Sequence, residues 1–107
     1  MVQKQAVVVF VTTSSPAEAR KIGRALVEEK LVACANIIPQ IRSIYRWQDK
    51  VFDEPEAFMV LKTRSALLNK IIKKVRSLHS YTVPEIIALP VVAGSREYLG
   101  WINQVTR

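Results

Sequence analysis

The sequence is poor in the residues that most often build small metal or disulfide sites. Its 107 residues include one cysteine, one histidine and three glycines. A single cysteine excludes an intrachain disulfide and agrees with a reducing compartment. One cysteine and one histidine are too few donors for a closed tetrahedral metal site in one chain. No ligand pair stands at CxxC or HxxxH spacing either.

Long apolar runs and nucleotide or nucleophile motifs are also absent. No apolar stretch approaches the about 20 residues needed to span a bilayer, and the start of the chain lacks the features of a signal peptide. Neither a phosphate-binding glycine loop nor a GxSxG elbow is found in the sequence. These absences predict a cytosolic protein that is not an enzyme and has no membrane segment.

The length and composition predict one folded domain. The 107 residues are 50% hydrophobic and 23% charged, which supplies a core without a bias toward disorder. We therefore expect a single domain over residues 1–107. The net charge of +7 raises the alternative of a polyanion partner, but much of the excess lies on or beside one amphipathic helix, which favours a solvated helix face.

Hydrophobic patterns predict four strands and three helices. Ser15, Pro16 and Glu18 match an N-cap, a proline at the first helical position and a capping box. Pro39 predicts a bend, edge or bulge inside a long second strand. The predicted strands are Ala6 to Val11, Leu31 to Trp47 with the kink, a third strand in two segments (Val51-Phe52 and Ala57 to Leu61), and Ile86 to Leu89, which is bounded by Pro90 or extends to Val92. The predicted helices are Pro16 to Lys30, Ser65 to Leu78 and Ser95 to Val105.

This element order predicts an α+β fold. The order β-α-β-β-α-β is typical of a ferredoxin-like sandwich, in which two helices cover one face of an antiparallel sheet. The first three strands are apolar on both faces, so a lone subunit exposes a hydrophobic sheet surface. We therefore expect self-association, with the kinked second strand and the terminal helix as possible contacts between subunits.

Several ordered motifs are spread over nearly the whole chain: Val11-Thr12-Thr13 with Ala17-Ile22, Leu31-Val32-Ala33-Cys34-Ala35-Asn36-Ile37, Ser43-Ile44-Tyr45-Arg46-Trp47, Leu61-Lys62-Thr63, Leu78-His79, Tyr81 with Val83-Pro84-Glu85-Ile86, and Tyr98-Leu99 with Trp101-Ile102. Together they resemble the CutA divalent-cation-tolerance family. The resemblance implies a ferredoxin-like fold, a homotrimer similar to PII signalling proteins, and a link to metal tolerance and copper binding. Two positions depart from the family pattern: Asp49 replaces a common glycine and Ser80 replaces a common proline.

Cys34 and His79 are the candidate copper ligands. A thiolate and an imidazole both suit copper, and Met59 offers a soft thioether. Any such site needs water, a carboxylate such as Glu85, or residues of other subunits. The alternatives are a small buried hydrophobe at Cys34 and a helix cap at His79. A catalytic Cys34–His79 dyad is disfavoured because the apolar neighbours of Cys34 predict a buried thiol.

The aromatic residues of the same motifs predict a pocket between subunits. Tyr45, Trp47 and Tyr81 would form its walls, with Lys62 and Glu85 as polar anchors. Packing at a subunit interface is the favoured alternative for the three aromatic residues, since tyrosine and tryptophan are enriched at interfaces.

Two further classes of function remain as alternatives. An RNA-recognition module shares the element order, but Glu56 to Leu61 in the predicted third strand offers one phenylalanine and no RNP pattern, so nucleic acid is an unlikely partner. The other alternative is a structural or signalling trimer that binds a protein partner.

Overall fold

The computed structural model describes residues 5–107 and has the predicted α+β architecture. The four strands form one sheet in the order β2-β3-β1-β4, and every neighbouring pair is antiparallel. A short 3₁₀ turn, Ser65–Leu67, leads into the second helix. The elements are β1 (Ala6–Thr13), α1 (Pro16–Glu28), β2 (Cys34–Trp47), β3 (Lys50–Arg64), α2 (Leu68–Leu78), β4 (Ile86–Pro90) and α3 (Arg96–Val105).

The core lies between α1, α2 and one face of the sheet. Along β1, Val7, Val9 and Val11 are buried while Val8 and Phe10 are half-buried, because side chains alternate between the two faces of a strand. The buried valines pack with residues of both helices, including Ile22 and Ile71. We call the opposite face, which carries Val8 and Phe10, the open face of the sheet.

The predicted start of α1 is confirmed, with one change in its bonding. The Ser15 hydroxyl oxygen accepts a hydrogen bond from the Glu18 backbone N–H at 3.1 Å. The Glu18 carboxylate does not return to Ser15 as a capping box requires. It accepts instead from the backbone N–H and the hydroxyl of Ser14, at 3.0 and 2.9 Å.

The predicted start of β2 at Leu31 is wrong, since the strand begins at Cys34. The N–H groups of Leu31 and Val32 both donate back to the Leu26 carbonyl, so they are not available for sheet pairing. Lys30, whose φ is 62°, makes this reversal in the left-handed region, a common way to end a helix.

The predicted kink of β2 is confirmed as a bulge between Ile38 and Ile41. Ile38 pairs with Phe58 and Ile41 pairs with Glu56, so two residues of β2 are opposite one residue of β3. Because of the extra residue, each side chain of β2 beyond the bulge lies on the opposite face of the strand from the one that uninterrupted alternation would give it. Beyond the bulge β2 and β3 continue as a two-stranded ribbon, residues 41–56, which we call the arm.

The remaining boundaries agree closely with expectation. β1 continues to Thr13 because Thr12 and Thr13 still pair with β3. The two predicted segments of the third strand are one 15-residue strand that runs through Pro55. Pro55 pairs only with Arg42, outside the part of β3 that β1 covers, so its missing N–H breaks no ladder bond on that side.

The open face is apolar and exposed in the isolated chain. Ile38, Ile87 and Leu89 are 47%, 53% and 43% exposed, and their partners across the strands also lie on this face. Phe10 and Phe58 are in contact there, with ring centroids 5.2 Å apart. Among residues 5–107, no helix is both long and apolar enough to cross a membrane.

Candidate functional site: an aromatic and acidic cleft

A cleft of about 760 Å³ opens where the arm leaves the main sheet. Its walls come from the end of β1, the arm, and the loop that joins α2 to β4. The lining residues are Thr12, Arg42, Ser43, Ile44, Tyr45, Trp47, Glu56, Ser80, Tyr81, Thr82, Val83 and Glu85. The volume is within the usual range of small-molecule sites.

The bulge in β2 explains why the arm presents its aromatic residues to this cleft. After the shift in alternation, Tyr45 is paired with Phe52, and the two rings stack with centroids 5.3 Å apart. The Tyr45 hydroxyl donates a 2.6 Å hydrogen bond to Glu54. This bond to a carboxylate raises the pKa of Tyr45 to about 12. The hydroxyl therefore stays protonated and the ring is held in place.

Tyr81 is held in the same way on the opposite wall. Its hydroxyl donates to Glu56 Oε2 at 2.7 Å, and burial together with this bond raises its pKa. Glu56 is only 8% exposed. A nearly buried carboxylate is costly without partners, and the tyrosine supplies one of them.

Glu85 adds a second carboxylate to the cleft. Burial raises its pKa above the ordinary glutamate value, the negative charge of Glu56 raises it further, and a hydrogen bond from the Thr12 hydroxyl opposes both. Both causes favour a proton on Glu85 or another cation beside it.

The cleft is a negative region on a basic chain. The chain carries a net charge of +7, yet among residues 5–107 Arg42 is the one cationic residue that lines the cleft. Its guanidinium already donates to the Asp53 carboxylate at 2.6 Å. Glu56 and Glu85 therefore have no neutralising cation among the lining residues that the structure describes.

His79 does not line the cleft but supports its loop wall. The side chain is fully buried, and Nε2 lies 2.8 Å from the Thr12 carbonyl oxygen, while Nδ1 accepts from the Tyr81 N–H at 3.0 Å. This pairing corresponds to the neutral tautomer with the proton on Nε2. The His79 backbone N–H donates to the Val75 carbonyl, so His79 also caps the end of α2.

Glu18 and Ser80 complete the support of this loop. Glu18 Oε2 accepts from the Ser80 backbone N–H at 2.7 Å, a bond that a proline at this position could not make. Burial opposes the ionisation of Glu18, but the bonds from Ser14 and Ser80 outweigh it and lower its pKa. The ionised carboxylate therefore ties the start of α1 to the loop.

Cys34 and Lys62 lie elsewhere, at the other end of the open face. They are paired across β2 and β3, and both the thiol and the ammonium donate to the Asn36 side-chain oxygen. Lys62 is opposite Val8, four residues before the Thr12 that contacts His79. That separation is about 13 Å along a strand.

The structure therefore divides the residues singled out from the sequence. Four of the five predicted pocket residues line the cleft, and Lys62 does not. Cys34 and His79 are not neighbours, and Met59 is buried in the core on the helix side. Cys34 is half-buried rather than enclosed. Among residues 5–107, no three His, Cys, Asp or Glu side chains form a group that could hold a metal ion, so a single chain does not fit a copper site.

Sequence reasoning missed Thr12, Glu54 and Glu56. Glu54 and Glu56 alternate with apolar residues just before a buried run, and this spacing places them on the face of Phe58. Only the bulge shows that Tyr45 is on that face too.

Comparisons with known proteins agree with the fold. The profile of a family described as CutA1 divalent ion tolerance protein matches residues 7–105. The divalent-cation tolerance protein CutA of Thermus thermophilus is 48% identical over 99 residues, covering 92% of this chain and 96% of that protein. Human protein CutA is also 48% identical, over 97 residues that cover 91% of this chain and 54% of the human protein, so the chain spans about half the length of that relative.

Solved structures are equally similar. The Cut A1 structure from Thermus thermophilus has a TM-score of 0.93 at 47% identity, covering 95% of this chain and 99% of that one. CutA1 from Oryza sativa has a TM-score of 0.94 at 37% identity, covering 100% and 98%.

Proposed function

The chain belongs to the CutA1 divalent ion tolerance protein family, and we propose that it acts in metal tolerance as a homotrimer that binds divalent cations. The observation that carries this proposal is the family match over residues 7–105. We further propose that the chain acts as one domain, works in the cytosol and is not an enzyme.

The open face supports the proposed trimer. Its exposed isoleucine and leucine side chains, with Phe10 and Phe58 between them, form an apolar patch that a stable protein usually covers. The arm extends past β1 and can reach a second subunit. Light scattering at several protein concentrations tests the trimer directly.

The proposed metal is copper or another divalent cation. Cys34 lies on the open face, so in a trimer its thiol approaches other copies and can share ligands with them. His79 can join such a site only if one of its two ring hydrogen bonds is replaced. Both residues therefore remain candidate ligands whose site is completed by water, carboxylates or neighbouring subunits.

Calorimetric titration with Cu(I), Cu(II) and Zn(II) tests this proposal. We expect saturable copper binding tighter than about 1 μM, weakened by Cys34→Ser and by His79→Ala while the trimer persists. Ser77→Ala, on the exposed end of α2, is the control. Weak binding that neither variant alters would show that Cys34 and His79 are not ligands.

The cleft favours a second function, the binding of a small ligand at a subunit boundary. Its volume, its fixed tyrosine rings and its two carboxylates fit a small-molecule site. Because the arm belongs to both the cleft and the proposed trimer contact, a bound ligand could signal to a protein partner of the trimer.

A further inference from the structure

The cleft differs from an ordinary apolar pocket in the charge it presents. Glu56 is nearly buried and Glu85 stands beside it, while Arg42 is neutralised by Asp53. An anionic ligand would meet uncompensated carboxylates of the same sign. The charge of the described lining therefore selects for a cation.

The walls of the cleft then decide which kind of cation fits. Tyr45, Trp47 and Tyr81 present three aromatic rings, and the negative face of such a ring attracts a cation, most strongly for tryptophan. The Tyr45 and Tyr81 hydroxyls already donate hydrogen bonds, to Glu54 and Glu56 respectively. The rings therefore need not move to satisfy a hydroxyl, and because Phe52 covers one face of the Tyr45 ring, a cation would use its other face.

A bare metal ion fits these walls less well than an organic cation. The described residues include no group of three carboxylate, imidazole or thiolate donors around one point, and a volume of about 760 Å³ far exceeds that of one ion. An ammonium group attached to an apolar body uses both the carboxylates and the rings, with the body covering Ile44 and Val83 on the lining.

We propose that the cleft is a binding site for a small organic ammonium compound, whose charged nitrogen lies between Glu56 and Glu85 and whose body packs against Tyr45, Trp47 and Tyr81. This inference rests on the proposed small-ligand function of the cleft and is separate from metal binding. The Thr12 hydroxyl, which also lines the cleft, donates a hydrogen bond to Glu85.

Three probes of similar size and different charge test the proposal. They are benzylammonium, benzyl alcohol and benzoate at pH 7, titrated into the assembled protein. The chain has two tryptophans, so in a Trp101→Phe background Trp47 is the only indole and its fluorescence reports on the cleft. We expect benzylammonium to bind about tenfold tighter than benzyl alcohol, with no saturation by benzoate.

Variants that remove one charge separate the contribution of the carboxylates to probe affinity from that of packing against the rings. Glu85→Gln should weaken benzylammonium binding several-fold and leave benzyl alcohol unchanged, and Glu56→Gln should do the same while its amide keeps a hydrogen bond to Tyr81. Glu97→Gln, an exposed residue in the first turn of α3, removes the same charge away from the cleft and should change neither affinity.

The failures are distinguishable. Equal affinity for the three probes, or preference for benzoate, would overturn the ammonium site and leave the small-ligand function standing. If none of the three probes changes the Trp47 fluorescence, both the ammonium site and the small-ligand function are overturned. The metal proposal is decided by the separate copper titration.

Discussion

At the residue scale, single carboxylates have different roles according to their partners. Glu85 faces the cleft, where burial and the negative charge of Glu56 disfavour its ionised form. Glu18 accepts hydrogen bonds from Ser14 and Ser80, which favour its charge. The same side chain therefore serves as a candidate ligand group in one place and as a structural tie in another.

The lowered pKa of Glu18 predicts a pH-dependent contribution to stability. Since the folded-state pKa lies below the ordinary value of 4.5, the contribution is complete above that value and is lost as the pH falls through the folded-state pKa. We expect Glu18→Gln to lower the free energy of unfolding by about 1 kcal/mol at pH 7. The difference from the unaltered protein should shrink as the pH falls below 4.5.

Urea unfolding at fixed protein concentration checks this prediction. The matched control is Glu97→Gln, whose carboxylate is exposed on α3. A Glu18→Gln deficit that stays constant from neutral to acidic pH would contradict the role given to the ionised carboxylate.

At the element scale, the tip of the arm depends on an unusual backbone conformation. Gln48 and Asp49 have φ of 51° and 64° between the paired residues Trp47 and Lys50, as in a two-residue type I′ hairpin. Aspartate tolerates this region better than most residues, and glycine best of all.

Substitution at Asp49 should therefore change stability in opposite directions. We expect Asp49→Gly to raise the free energy of unfolding by up to about 1 kcal/mol and Asp49→Val to lower it by about 1 kcal/mol, because a β-branched residue resists positive φ. Thermal unfolding measures both. Arg46→Val, on the same arm but in an ordinary strand conformation, is the control, and a similar loss there would contradict the turn argument.

Two helical glycines should also respond differently to substitution by alanine. A Cβ at Gly23 would lie 3.2 Å from the Ala35 Cβ and from the Met59 Cε, whereas one at Gly100 would meet nothing within 4 Å. Alanine stabilises a helix interior by about 0.5–1 kcal/mol relative to glycine. We expect Gly100→Ala to gain about that amount.

For Gly23→Ala, crowding between α1 and the sheet should cancel or reverse this gain. Parallel denaturant unfolding of the two variants makes the comparison. An equal increase in stability at both positions would contradict the close approach of α1 to β2.

At the scale of the whole molecule, the open face predicts assembly. Ile87 is 53% exposed and is paired with Phe10, near the middle of the apolar patch. We expect Ile87→Lys to dissociate the proposed trimer, because covering this face would bury an unpaired ammonium. Light scattering coupled to size exclusion measures the mass.

The control for this prediction is Asn69→Lys, which adds the same charge at an exposed position of α2. It should leave the mass unchanged. An assembled Ile87→Lys protein would place the subunit contact on another surface. A monomeric unaltered protein that bound RNA in a salt-dependent way would instead favour the RNA-binding alternative.

Local signals in the sequence were sufficient for the element types and their order. The Ser15 cap, the β-branched run of β1 and the three- and four-residue spacing in α2 each depend on neighbours close in the chain, so the sequence determined them by itself. Together they implied the ferredoxin-like fold. Pro39 even indicated the bulge, since a missing N–H disrupts a ladder wherever the strand lies.

Tertiary structure decided which side chains meet. The bulge sets the register that puts Tyr45 beside Glu54, and the return of the chain after α2 brings Tyr81 to Glu56. The same packing gives both His79 nitrogens partners and leaves Lys62 far from the cleft. These contacts join residues distant in sequence, and a one-residue change of register would exchange the faces, so no local pattern could determine them.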